Sequence, residues 1–199
     1  GYHAVIFESD IANAYSAPGG YILISSTLMS QLNSEDELAA VVAHEIAHVA
    51  LKHGMASINK SNLSQAAGLL GQEALSQTSD VAAQQLDLLT ASFGSSINDI
   101  VTTVTTAGYS RSQELEADQE AARILYRAGY NPVALTRIIN SQKENNPEQS
   151  GNLTSSITVT HPNDDKRLTE ITRFISDEKL DSQPNPARNG RFNQIVKSE

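Results

Sequence analysis

His44-Glu45-Ile46-Ala47-His48 sets two imidazoles and a carboxylate inside the most apolar stretch of the chain, residues 38–51. Isolated polar groups in such a setting are costly, and the usual resolutions are pairing, neutralisation or metal coordination. On a helix, residues four apart lie about 40° apart around the axis and ~6 Å along it. His44 and His48 can therefore present their rings to one ion, with Glu45 beside them. This is the H-E-x-x-H arrangement, in which two histidines bind zinc and the glutamate takes a proton from the attacking water during peptide hydrolysis. The alternative is a pair of core histidines satisfied by carbonyls and carboxylates.

A catalytic zinc takes three protein ligands and keeps one position open. The chain has no cysteine, so the ligands must be nitrogen and oxygen and no disulfide framework exists. The carboxylates Glu114, Glu116, Asp118 and Glu120 follow Ser110-Arg111. A run of this kind ordinarily reads as a solvated first helical turn matched to the helix dipole. Periodicity divides it. Glu114, Ala117, Asp118, Ala121 and Leu125 form one stripe, whereas Glu116, Glu120, Arg123 and Arg127 form a charged one. The inward stripe makes Glu114 the expected third ligand, with Glu116 as the alternative. Asp118, one turn on, is expected to hold a ligand histidine by its free N–H.

Of the other histidines, His3 lies near the start, and His53 lies at a helix end where a surface or dipole role suffices. His161 precedes Pro162, which suits a first helical position, so His161 is expected at an N-cap where the helix potential favours neutral imidazole. Neutral imidazole can act at a metal.

The elements that must carry these groups are legible in outline. Val5-Ile6-Phe7 and Tyr21-Ile22-Leu23-Ile24 read as strands of a small sheet bracketing a turn-rich connection, residues 13–20. Ser34 with Glu37 is a capping-box signature, and residues 38–53 then run unbroken to Gly54, the expected left-handed stop. Residues 55–107, rich in Ser, Gln, Ala and Thr, read as helical cover over the site. A second strong helix is expected over 109–128, closed by Gly129. Asn131-Pro132 opens the next. A polar linker over 145–152 precedes Ile157 and Val159, and a final helix is expected over roughly 163–176. Residues 177–199 read as a polar tail or linker, either joining another domain or partly disordered. The expected fold is α+β and mainly α-helical, with one domain over residues 1–176.

With 199 residues and 39% hydrophobic content the chain can bury one sizeable core. Its net charge of -9 and pI near 5.0 offer no basic face for nucleic acid or an anionic membrane. No stretch approaches the ~20 apolar residues of a membrane span. The opening, without Met and running straight into Val5-Ile6-Phe7, carries the expectation that any leader has been removed.

These motifs resemble the HtpX, CAAX prenyl protease and OMA-type family of gluzincin metallopeptidases, most closely its soluble bacterial cell-envelope branch. Four signatures match in order over about residues 5–175. They are Asn13-Ala14-Tyr15 with Pro18-Gly19-Gly20, the His44 to His48 helix, Ser110-Arg111 with Glu114-Leu115-Glu116-Ala117-Asp118, and His161-Pro162 with Arg167-Leu168. The resemblance implies a zincin-like fold with a hairpin packed on the zinc helix, one Zn2+ per chain, and Glu114 as third ligand. It gives His161 two roles, steadying the oxyanion or filling the fourth zinc position in a latent enzyme. It makes Arg167 a support of the site through a carboxylate such as Asp118. It also implies that the hairpin, with Asn13, Gly20 and Tyr21, receives an extended polypeptide, and that the location is periplasmic or cell-envelope associated. Membrane-spanning helices and a helical-repeat domain, present in many relatives, have no counterpart in this sequence.

The expected function is zinc-dependent endopeptidase action on unfolded or misassembled proteins. The rival is an assembly factor or chaperone-like module with a closed zinc site. A purely structural zinc would leave Glu45 without a role, although His161 as a fourth ligand would favour it.

Overall fold

The computed structural model describes residues 1–17, 19–57, 108–144, 161, 165–180, 182 and 185–196. Three strands come first: β1 (His3–Phe7), β2 (Ala14–Ala17) and β3 (Tyr21–Ser25). Their order is β1-β3-β2, with β1 parallel and β2 antiparallel to the central β3. The segment read from the residues as connection thus contributes a strand of its own, β2. Its turn needs glycine at position 20, which has φ +90° and where a Cβ would stand 2.5 Å from the Gly1 carbonyl oxygen.

Two helices follow, α1 (Ser26–Gln31) and α2 (Glu35–Ala50). Ser34 caps α2 by accepting from the Glu37 N–H, while Glu37 Oε2 accepts from the Asn33 N–H, one residue earlier than a reciprocal capping box would have it. The helix ends at Leu51, and the left-handed residue is Lys52, with φ 58°, not Gly54. A further helical turn covers residues 53–57. The expected cover over 55–107 lies otherwise outside the described residues, as do Ile157 and Val159.

The second strong helix is α3 (Arg111–Arg127), opened by a full capping box of Ser110 and Gln113. It closes at Gly129, whose φ of +76° lets Tyr130 N–H return to the Leu125 carbonyl at 2.8 Å. Asn131 then accepts from the Val133 N–H and starts α4 (Val133–Glu144). The last two helices are α5 (Asp165–Asp177) and α6 (Pro186–Val196). Helix α6 corrects the reading of residues 177–199 as a tail with little to pack. Phe192, only 3% exposed, joins Ile22, Ile24, Leu28, Leu32 and Val41 in one core. Phe192, with half-buried Val196 against the same core and the pairs Arg188–Asp36 and Arg191–Glu35, docks an otherwise polar helix.

Helix α2 lies between two cores, the first shared with β2, β3, α1 and α6, the second with α3, α4 and α5. Its residues 35–49 are buried or half-buried, as the apolar run requires. Ala40, Ala43 and Ala47 of α2 share the second core with Ala117, Ala121 and Ala122 of α3. Side chains this small let two helices approach at the short end of the usual 8–10 Å range. His44, His48 and Glu114 meet across this small-residue contact. Among the described residues no helix is long and apolar enough to cross a membrane.

Candidate active site

His44 and His48 leave adjacent turns of α2, and Glu114 leaves the first turn of α3 opposite them. His161 comes from the chain preceding α5. The described part of that helix starts at Asp165, so the expected N-cap at His161 lies among undescribed neighbours.

The four side chains are buried, and their ligand atoms lie within 4.8 Å of one another. His44 Nε2 is 3.0 Å from His48 Nε2 and 3.3 Å from His161 Nδ1. Glu114 Oε1 is 3.3 Å from His48 Nε2 and 3.0 Å from His161 Nδ1. Zinc with arms of about 2.0–2.1 Å defines a tetrahedron with edges of ~3.3–3.4 Å. Four of the six separations match such edges to within a few tenths of an ångström, and all six are within 4.8 Å. Three imidazole nitrogens and a carboxylate oxygen crowded at this distance have too few protons to satisfy one another, so the donor set fits a divalent cation.

The outer faces of the ligands are held. His44 Nδ1 is 3.0 Å from Asp118 Oδ1. Arg167 donates through Nε to Asp118 Oδ2 at 2.7 Å and through Nη2 to Oδ1 at 2.8 Å, and its Nη1 lies 2.7 Å from Glu114 Oε2. Glu114 and Asp118 are both fully buried, and Glu116 is exposed, as the stripe requires. Burial disfavours charge on both carboxylates, but His161 and Arg167 beside Glu114 hold it well below the usual range, and Arg167 and His44 lower Asp118. Burial likewise opposes charge on His44, yet Asp118 and Glu114 raise its pKa to about 10. In His48 burial wins, aided by the neighbouring charge of His44, and the ring is held well below its ordinary value.

Glu45 is 1% exposed, with Oε1 3.4 Å from His161 Nε2 and Oε2 without a hydrogen-bond partner among the described residues. A buried carboxylate with one uncommitted oxygen beside a metal-type cluster is positioned to exchange a proton with a reacting molecule.

The structure does not bring the three hairpin residues to this cluster. Asn13 is buried, its N–H donating to Ser25 Oγ and its Oδ1 accepting from the Ala14 N–H. Gly20 lies in the turn, and exposed Tyr21 stacks on His3. Instead Ser16 and Ala17 of β2 face His48, Lys52 and Tyr109 across a cleft of about 440 Å³.

Two neighbours of the cluster escaped the sequence reading. Tyr109 stacks on His48 with ring centroids 3.8 Å apart. His53, expected at the surface, is 4% exposed, with Nδ1 3.0 Å from His48 Nδ1. Burial lowers its pKa against the opposing pull of Glu116. Both lie beyond helix ends, where periodicity carries no information. The only signal was a histidine five residues past His48 followed by glycine.

The profile of peptidase family M48 matches residues 1–175. The beta-barrel assembly-enhancing protease of Yersinia pestis is 27% identical over 172 residues, 85% of this chain and 33% of that protein. Metalloprotease YcaL of Escherichia coli K12 is 30% identical over 177 residues, covering 89% and 63% respectively. The mitochondrial metalloendopeptidase OMA1 of Saccharomyces cerevisiae is 25% identical over 182 residues, covering 87% and 46%. The chain therefore spans a third of the first relative's length and under two thirds of the second. The match extends over both strands of the hairpin, both helices of the cluster and the arginine behind it, and on that ground the chain belongs to the M48 family of gluzincin metallopeptidases.

Proposed function

We propose that this domain is a zinc-dependent endopeptidase that cleaves unfolded or misassembled proteins in the cell envelope. The observation that carries the reading is the convergence of His44 Nε2, His48 Nε2 and Glu114 Oε1 beside the uncommitted Glu45 carboxylate. In this reading those three atoms hold the ion. When bound, zinc would polarise the scissile carbonyl and bring water's pKa down to about 7. Glu45 takes the proton of the attacking water and passes it to the leaving amine, a role worth roughly 10²–10⁴ in rate. Asp118 fixes the His44 ring by its Nδ1–H, and Arg167 holds Asp118 and Glu114 in place. An extended polypeptide adds to β2, an edge of the described sheet, with Asn13 fixing the start of that strand and Gly20 and Tyr21 shaping its turn. The names of the assembly-enhancing protease relatives support a role in protein quality control, and the resemblance to the cell-envelope branch motivates a periplasmic location.

One observation favours a second reading. His161 Nδ1 stands among the ligand atoms, so it can complete a closed four-donor site, as in a latent enzyme or an assembly factor that holds its clients. Casein cleavage by wild type, Glu45→Gln and His161→Ala, with metal content measured on the same samples, separates the readings. The peptidase reading expects cleavage by wild type, and loss of cleavage with zinc retained in Glu45→Gln. Faster cleavage by His161→Ala identifies a latch. Zinc bound with no cleavage by any variant favours the closed module, and wild type without zinc contradicts both.

A further inference from the structure

His48 turns Nε2 towards the cluster, so in the ligating form its ring carries its proton on Nδ1. A buried N–H needs an acceptor. The group 3.0 Å from His48 Nδ1 is not a carboxylate or a carbonyl but Nδ1 of His53. Two ring nitrogens at this distance share one proton. If His48 donates, His53 must present a lone pair at Nδ1 and carry its own proton on Nε2. Glu116 Oε2 lies 3.4 Å from that Nε2, an ion-pair distance, and the Nε2 makes no hydrogen bond among the described residues.

The backbone is arranged to deliver this ring. Helix α2 ends at Leu51, and Lys52 takes a left-handed conformation that a non-glycine residue rarely adopts. The chain is reversed there, and His53 returns over the last turn of its own helix. Gln113, the capping-box residue of α3, donates through Nε2 to the His53 carbonyl at 3.2 Å and ties the reversed turn to the helix that bears Glu114.

We propose that His53 is a positioning residue for the metal site, accepting the His48 Nδ1–H through its own Nδ1 and so fixing the tautomer and plane of the second ligand, as Asp118 does for His44. The inference rests on His48 being a metal ligand. It makes the two histidines of the zinc helix unequal, one oriented by a charged acceptor and the other by a neutral one.

The test exploits the fact that Asn Oδ1 overlays histidine Nδ1, whereas the polar end of Gln overlays Nε2. Zinc affinity is measured by chelator competition for wild type, His53→Asn, His53→Gln and His53→Phe, with circular dichroism of each. The expected result is a ~10–100-fold loss of affinity in Phe and Gln, the usual effect of removing such a partner, with Asn within about threefold of wild type. The ¹⁵N spectrum of the zinc-loaded protein should show His48 protonated at Nδ1 and His53 at Nε2. Equal affinity in all four proteins, an equal loss in Asn and Phe, or a protonated His53 Nδ1 overturns the proposal while leaving the zinc site standing. If Phe fails to fold, the Asn–Gln contrast and the spectrum still decide. Wild type that binds no zinc removes the underlying reading as well.

Discussion

Two sets of ion pairs, one at the start of α2 and one between α3 and α5, use the same chemistry in different settings. At the start of α2, Glu35 meets the exposed Arg191, and Asp36, itself buried, meets the half-buried Arg188; these pairs dock α6 at the edge of the domain. Between α3 and α5, Arg167 meets Glu114 and Asp118 where all three are almost without exposure. Surface pairs gain little, because water and salt screen them. Buried ones repay their desolvation only when every charge is matched, and apolar replacements are often as stable. The first set therefore reads as assembly of the fold, and the second as something the fold tolerates for the sake of the site.

Substituting both sets measures that difference. Arg167→Met in the metal-free protein strands two buried carboxylates and should cost about 3–5 kcal/mol in denaturant unfolding. A loss below about 1 kcal/mol would mean that the buried network is solvated. Phe192→Ala should cost about 3 kcal/mol, the lower end for a buried aromatic, if α6 belongs to the cooperative unit. An unchanged midpoint would mean that α6 docks without stabilising the domain. Arg191→Ala should leave the thermal midpoint nearly unchanged, and its small effect should vanish in high salt.

The buried set also titrates in a way that the surface set does not. In metal-free protein His44 stays doubly protonated and charged up to about pH 10, whereas at neutral pH Glu114 is ionised and His48 is a neutral imidazole with one N–H. The raised pKa of His44 stabilises the metal-free fold fully below its ordinary value of 6.5, and that contribution is lost as pH rises towards about 10. A ligand nitrogen must shed this proton, so metal uptake should release one proton per chain. Apparent affinity should rise ~tenfold per pH unit between about pH 7 and 9. Affinity independent of pH there would contradict this charge state of His44.

The sequence reading succeeded where a period applied. His44, His48, Glu114 and Asp118 fell on inward stripes, and α2 and α3 stand within a few residues of their expected limits. It failed where one tertiary contact overrides local composition. Phe192 fastens a segment that otherwise looks like a tail, and β2 is a strand because β3 lies beside it. The left-handed residue is Lys52 and not Gly54, and the turn it makes carries His53, whose carbonyl accepts from Gln113.

The junction of α2 and α3 has the geometry of a metal site. The most direct test is titration of zinc into metal-free wild type beside Glu114→Ala. One zinc per chain in wild type, with binding lost or weakened ~100-fold or more in the variant, is the predicted result. Wild-type binding left intact by Glu114→Ala, or no binding in either protein, would contradict it.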